Sequence, residues 1–116
     1  MMTVSARSWK RFDYADMLAQ QLRALDVSPA PVREYRPFAN RRYRLDLAWP
    51  DRHLFVECDG GEYLGNVPRR HGNVGDCRRW NLLTRAGWRG YRFTGSQVRT
   101  AEACDWIAQE FRRTCP

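Results

Sequence analysis

The chain has 116 residues, 43% of them hydrophobic and 13% aromatic, which suits one domain with a sizeable core and excludes a disordered polymer. Its formal net charge is +7, and nineteen of the twenty basic residues are arginine, Lys10 being the single lysine. Such a surplus points to a phosphate-bearing partner, nucleic acid first, although an arginine-rich codon bias would also favour Arg over Lys.

Cys58, Cys77, Cys104 and Cys115 form no C-x-x-C pair, and no nearby His completes a zinc pattern. Cys58 and Cys104 fall in elements expected to be buried, where a thiol behaves as a small hydrophobe. Residues 1–12 carry Arg7, Lys10 and Arg11 with no apolar core, so they read as a loosely ordered lead-in rather than a signal peptide. No apolar run approaches membrane-spanning length. The expectation is a single domain over 1–116 in a reducing cytosol, with no membrane partner.

A first helix is predicted from Asp13, a good N-cap, to Leu25, with Tyr14, Leu18, Leu22 and Leu25 on one stripe. Asp16 falls off that stripe. Pro29 and Pro31 end the helix, and Val32–Arg36 reads as a strand. Arg42–Trp49 and His53–Asp59 read as two further strands around a turn holding Pro50 and Asp51. Alternation puts Arg44, Asp46 and Ala48 on one face of the former and Tyr43, Leu45, Leu47 and Trp49 on the other. It puts Phe55, Glu57 and Asp59 opposite Leu54, Val56 and Cys58.

From Gly60 to about Val74 the composition predicts a mobile loop containing Glu62, Tyr63, Arg69, Arg70 and His71. A second helix follows over Gly75–Arg85, stopped by Gly87, with Cys77, Trp80 and Leu83 or Thr84 as its apolar side. Trp88–Phe93 is a fourth strand and Thr94–Ser96 a turn. The last helix is predicted from Thr100 as N-cap to Arg113, with Ala103, Ile107 and Phe111 as its core stripe. The order is therefore α-β-β-β-α-β-α.

Asp46, Glu57 and Asp59 are acids inside strand-like runs, and the turn can bring all three to one sheet face. Carboxylates gathered there repel one another unless a cation balances them, and a hard ion such as Mg²⁺ takes oxygen ligands of this kind. The backbone carbonyl of Cys58 offers one more oxygen. A cluster of this type suits metal-assisted phosphodiester hydrolysis. The same spacing also arises on an ordinary solvated strand pair.

The ordered motifs Leu45-Asp46-Leu47-Ala48-Trp49-Pro50, Val56-Glu57-Cys58-Asp59-Gly60-Gly61, Asp76-Cys77-Arg78-Arg79-Trp80-Asn81 and Gly87-Trp88-Arg89-Gly90-Tyr91-Arg92-Phe93 carry a resemblance. Together they resemble the PD-(D/E)XK nuclease superfamily. More narrowly, they look like the small very-short-patch-repair-like endonucleases of phages and mobile elements. The likeness runs from about Tyr14 to Phe93. It implies an α/β restriction-endonuclease-like fold, with a central mixed four-stranded sheet flanked by helices. It also implies a DNA endonuclease using Mg²⁺ or Mn²⁺, held by Asp46 and Glu57, with Asp16 in the place of a supporting helix acid. A phage-encoded member would work in the bacterial host cytosol, as a monomer or a homodimer.

One departure matters. The superfamily's lysine, two residues past the second acid, is Asp59 here, and the alternative place on the following helix is Arg79. Arginine orients or stabilises but does not give up its proton. Activity would then depend on metal-bound hydroxide, on Asp59, or on a substrate phosphate as base. A catalytically degenerate, DNA-binding version of the fold is the competing reading. Arg41, Arg42 and Arg44 before the acids, and Arg69, Arg70 and Arg78 after them, are placed to track a phosphate backbone. Tyr63 could stack on a base or pack in the core. His71 is a solvated loop histidine or a proton donor to the leaving oxygen.

Overall fold

The computed structural model describes residues 12–59 and 74–114. The Asp13 carboxylate caps the first helix, α1 (Tyr14–Ala24), by accepting the Asp16 amide at 2.9 Å. Leu18 and Leu22 are buried with Ala15, but Leu25 is 49% exposed. The apolar stripe therefore ends one turn earlier than expected, because Leu25 is the C-cap and has left the helical path.

Three strands follow: β1 (Val32–Tyr35), β2 (Leu45–Trp49) and β3 (Leu54–Asp59). A single 3₁₀ turn, Pro50–Arg52, joins β2 to β3, and His53 closes it in the left-handed region at φ 50°. Next come α2 (Val74–Arg85), β4 (Arg89–Thr94), α3 (Gly95–Arg99) and α4 (Glu102–Thr114). The four strands form one mixed sheet in the order β1-β2-β3-β4, antiparallel up to β3, with β3 and β4 parallel. The helix α2 makes the crossover that a parallel pair requires.

Helices cover both faces of the sheet. On one face Leu18 and Leu22 of α1 meet Leu47, Trp49, Leu54, Val56 and Phe93, with Ile107 and Phe111 of α4. On the other, Leu83 of α2 packs with Leu45, Ala48, Phe55 and Trp88, backed by Trp80. With both faces covered, β2 and β3 lose the polar-apolar alternation of a half-exposed strand, apart from their acids. Gly90 is required beside Phe55, since a Cβ there would stand 2.1 Å from the ring.

Several expectations need correction. The strand β2 begins at Leu45, not Arg42, and residues 41–44 have no regular structure. Leu45 packs with Ala48 rather than with Leu47 and Trp49. Thr94–Ser96 is no turn: Thr94 and Gln97 form a capping box that opens α3. Thr100 closes α3 instead of opening α4, and Ala101, at φ 71°, makes the break between them. Cys77 is exposed on α2, whereas Trp80 and Leu83 face inward. The lead-in up to residue 11 and the loop from Gly60 to residue 73 lie outside the described residues.

Candidate active site

The short β2–β3 connection fixes the register Leu47↔Val56, and carrying it one step further brings Asp46 opposite Glu57. The regular pairing stops there, because carboxylates take over the backbone donors. Glu57 Oε2 accepts the Asp46 amide at 3.0 Å, and Asp46 Oδ2 accepts the Cys58 amide at 2.8 Å. Each carboxylate thus satisfies a backbone N–H that a carbonyl would otherwise meet. The neighbouring edge is disturbed at the same level. Glu34 sits at φ 50° between the pairs Arg33↔Leu47 and Tyr35↔Leu45, a strained conformation for a residue with a side chain. This break explains why Leu45 does not follow the alternation of Leu47 and Trp49.

Glu57 is 5% exposed, and its other oxygen, Oε1, is bound by the Arg79 guanidinium from α2. Arg79 also lies 3.5 Å from Asp76 Oδ1, donates to the Arg44 carbonyl at 3.5 Å, and stands 5.5 Å from the Tyr43 ring centre. Asp76 in turn accepts from Arg92 at 3.1 and 3.4 Å, and the Arg92 guanidinium lies over the Trp80 ring at 4.7 Å. Arg92 sits beside Glu57 in the parallel β3–β4 register. Asp46, Glu57, Arg79, Asp76 and Arg92 therefore form one chain of charges drawn from β2, β3, α2 and β4.

Burial pushes the Asp46 carboxyl up to about 6, and the Glu57 charge adds to this, against the Cys58 amide, Arg79 and Arg33. Burial, then Asp46 and Glu57, push the Cys58 thiol up to about 12, so it stays protonated and is no thiolate nucleophile. Burial works against the Arg79 cation, but Glu57, Asp76 and Asp46 outweigh it and hold its pKa above the ordinary arginine value.

Asp59 ends β3 on the alternation that Glu57 follows, and it is half-buried. Asp16 is engaged elsewhere: its carboxylate accepts from Arg33 at 3.1 Å and from Gln20 at 2.7 Å. Arg41, Arg42, Arg44 and Arg78 are exposed. Arg44 reaches Glu34 at 3.2 Å, while the Arg41 carbonyl accepts from Arg36 at 2.9 Å and so orders the segment before β2. Tyr63, Arg69, Arg70 and His71 lie outside the described residues. The motif reading left Asp76 and Arg92 without a role. Their signals were the three-residue step from Asp76 to Arg79 and an arginine between Tyr91 and Phe93.

Among the described residues, no three His, Cys, Asp or Glu side chains converge as a metal group. The pair Asp46 and Glu57 nevertheless suits a small hard cation. Mg²⁺ takes one or two carboxylates and keeps several waters, and Asp46 and Glu57 are the side chains here that could supply them. A cleft of about 240 Å³ at the end of α1 and α4, lined by Asp26, Ser28, Arg52 and Arg112 among others, contains none of these acids. No helix among the described residues is long and apolar enough to cross a membrane. In comparisons with protein-family models, with curated proteins and with solved structures, nothing matches this chain.

Proposed function

We propose that the chain is a small restriction-endonuclease-like hydrolase that cleaves DNA phosphodiesters with the aid of Mg²⁺ or Mn²⁺. The observation that carries this reading is the facing of Asp46 and Glu57 across β2 and β3, with Arg79 bound to the second acid. Asp46, Glu57 and the Cys58 carbonyl would hold the cation. Such an ion activates water and offsets the charge that builds on the phosphoryl oxygens. Arg79 offers a fixed guanidinium to the scissile phosphate, and Asp59 orients the attacking water. The exposed Arg41, Arg42, Arg44 and Arg78 hold the strand through its phosphates. Wild-type protein should nick or cut plasmid, linear or branched DNA with Mg²⁺ or Mn²⁺ and not with EDTA. Inertness on all three substrates would overturn the reading.

A second reading is favoured by one specific contact. Arg79 already gives Glu57 a permanent cation, and the one lysine, Lys10, is outside both matched positions. On that reading the fold binds DNA without cutting it. Salt-sensitive binding that needs no divalent ion, with no turnover, would support it.

A further inference from the structure

Resting on the hydrolase reading, we propose that Arg79 and the divalent cation compete for Glu57, so that Arg79 sets how tightly the site takes its metal. Three of the pair's four carboxylate oxygens are engaged. Glu57 Oε2 accepts the Asp46 amide, and Asp46 Oδ2 accepts the Cys58 amide, both within the sheet. Glu57 Oε1 is bound by the Arg79 guanidinium. Among the described residues, nothing donates to Asp46 Oδ1. A cation that uses both acids therefore meets one open oxygen on Asp46 and, on Glu57, an oxygen already facing a positive group.

The Arg79–Glu57 bond is well shielded from water, since the two side chains are 15% and 7% exposed, and a charge-assisted bond is strong in such surroundings. The other contacts of Arg79 are looser: Asp76 Oδ1 and the Arg44 carbonyl at 3.5 Å, and the Tyr43 ring centre at 5.5 Å. Glu57 is thus what seats the guanidinium at the pair. The neighbouring cations do not contest that oxygen. Arg33 is within electrostatic reach of Asp46 but gives its hydrogen bonds to Asp13 and Asp16, and Arg92 gives its own to Asp76. Asp59, at the end of β3, adds negative charge that favours Arg79 and metal alike. Once off Glu57, the guanidinium is still carried beside the site by α2 and is available to a DNA phosphate.

Mn²⁺ titration followed by electron paramagnetic resonance, on folded protein checked by circular dichroism, tests this assignment. Arg79→Gln should bind Mn²⁺ about tenfold more tightly than wild type, the reverse of what loss of a supporting residue does. Arg33→Gln removes an equal charge near Asp46 but frees no Glu57 oxygen, and should tighten binding by less than about threefold in physiological salt. Unchanged or weaker binding by Arg79→Gln, or equal gains from both variants, would overturn the assignment. If Arg79→Gln does not fold, nitrogen-15 spectra of the wild-type arginine side chains carry the test. Saturating Mg²⁺ should shift the Arg79 Nε–H signal and leave that of Arg33 in place, and an unmoved Arg79 signal overturns the assignment. DNA turnover by wild type separates the two claims. No turnover with the Mn²⁺ pattern intact removes the hydrolase reading and leaves the competition. Turnover with the pattern absent does the reverse, and no Mn²⁺ binding by wild type and Arg79→Gln alike defeats both.

Discussion

The Asp46 amide donates to the Glu57 carboxylate at 3.0 Å, so the second acid of the site is also part of the sheet's own bonding. The Asp46 carboxylate returns the arrangement by accepting the Cys58 amide. Both side chains are thereby held in place before any ligand arrives, and both leave oxygen lone pairs for other work. Variants that delete either carboxylate outright strand a backbone donor. Amide replacements keep the acceptor and separate charge from structure.

Metal-free Asp46→Asn protein should be more heat-stable than wild type at pH 8. The folded-state pKa of Asp46 is about 6, above its ordinary 3.8, so the folded chain holds a proton that the unfolded chain releases between those values. Stability from this group therefore falls as pH rises through that window, and the full cost stands above it. Asn removes a cost on the order of 1–2 kcal/mol at pH 8 and has nothing to remove below the unfolded value. Melting curves in EDTA at pH 8 and pH 3.5 check both the sign and its disappearance.

Glu110 should show the opposite sign. It is 2% exposed on α4, accepts from the Tyr91 hydroxyl at 2.6 Å and is bound by Arg89. The Arg89 hydrogen bond holds its carboxyl below the ordinary 4.5, against burial and with help from Tyr91. Its contribution is present above 4.5 and is lost as pH falls through the lower folded value. Glu110→Gln should cost about 1–2 kcal/mol at pH 7, by denaturant titration, and progressively less in acid.

Gly90→Ala tests the packing that seats α2 against the sheet. The added Cβ would meet the Phe55 ring at 2.1 Å, on a ring that also touches Trp80 and Trp88. Overpacking of this kind costs about 1–3 kcal/mol. Because α2 carries Arg79 and Asp76, any cleavage activity should fall as well. Gly87→Ala meets no atom but sits at φ +90°, so its cost is backbone strain of about 1 kcal/mol without that functional loss.

The facing of Asp46 and Glu57 was legible from residue order alone. The acids of β2 and β3, with Pro50 and Asp51 between them, announce a tight turn that brings Asp46 to Glu57. The N-cap Asp13 and the stop at Gly87 are likewise local signals, and the structure has both. The position of Leu45 was not legible, because the exchange of carboxylates for carbonyls at Asp46 breaks the alternation that sequence reasoning relies on. The helix α3 was missed although Thr94 and Gln97 carry a capping-box signature. Gly95 and Ser96 between them speak equally for a turn. The Asp76–Arg92 link joins α2 to β4, and the parallel register that puts Arg92 beside Glu57 is likewise encoded by no local pattern.

Arg41 and Arg42, exposed just before β2, should set part of the salt dependence of DNA binding. Replacing both with Gln should lower the slope of log affinity against log salt by roughly 0.9 for each duplex phosphate that is no longer neutralised. The weakening should be similar across sequences, as expected of groups that bind the backbone rather than the bases. Fluorescence anisotropy over a salt series, in Ca²⁺ to suppress turnover, measures it.

The most direct measurement is plasmid nicking by purified wild type, Asp46→Asn and Glu57→Gln in Mg²⁺, each shown to be folded by circular dichroism. The account predicts nicking by wild type, its abolition by EDTA, and a loss of at least about a hundredfold in both variants. Nicking that persists in both folded variants, or that ignores EDTA, would contradict it.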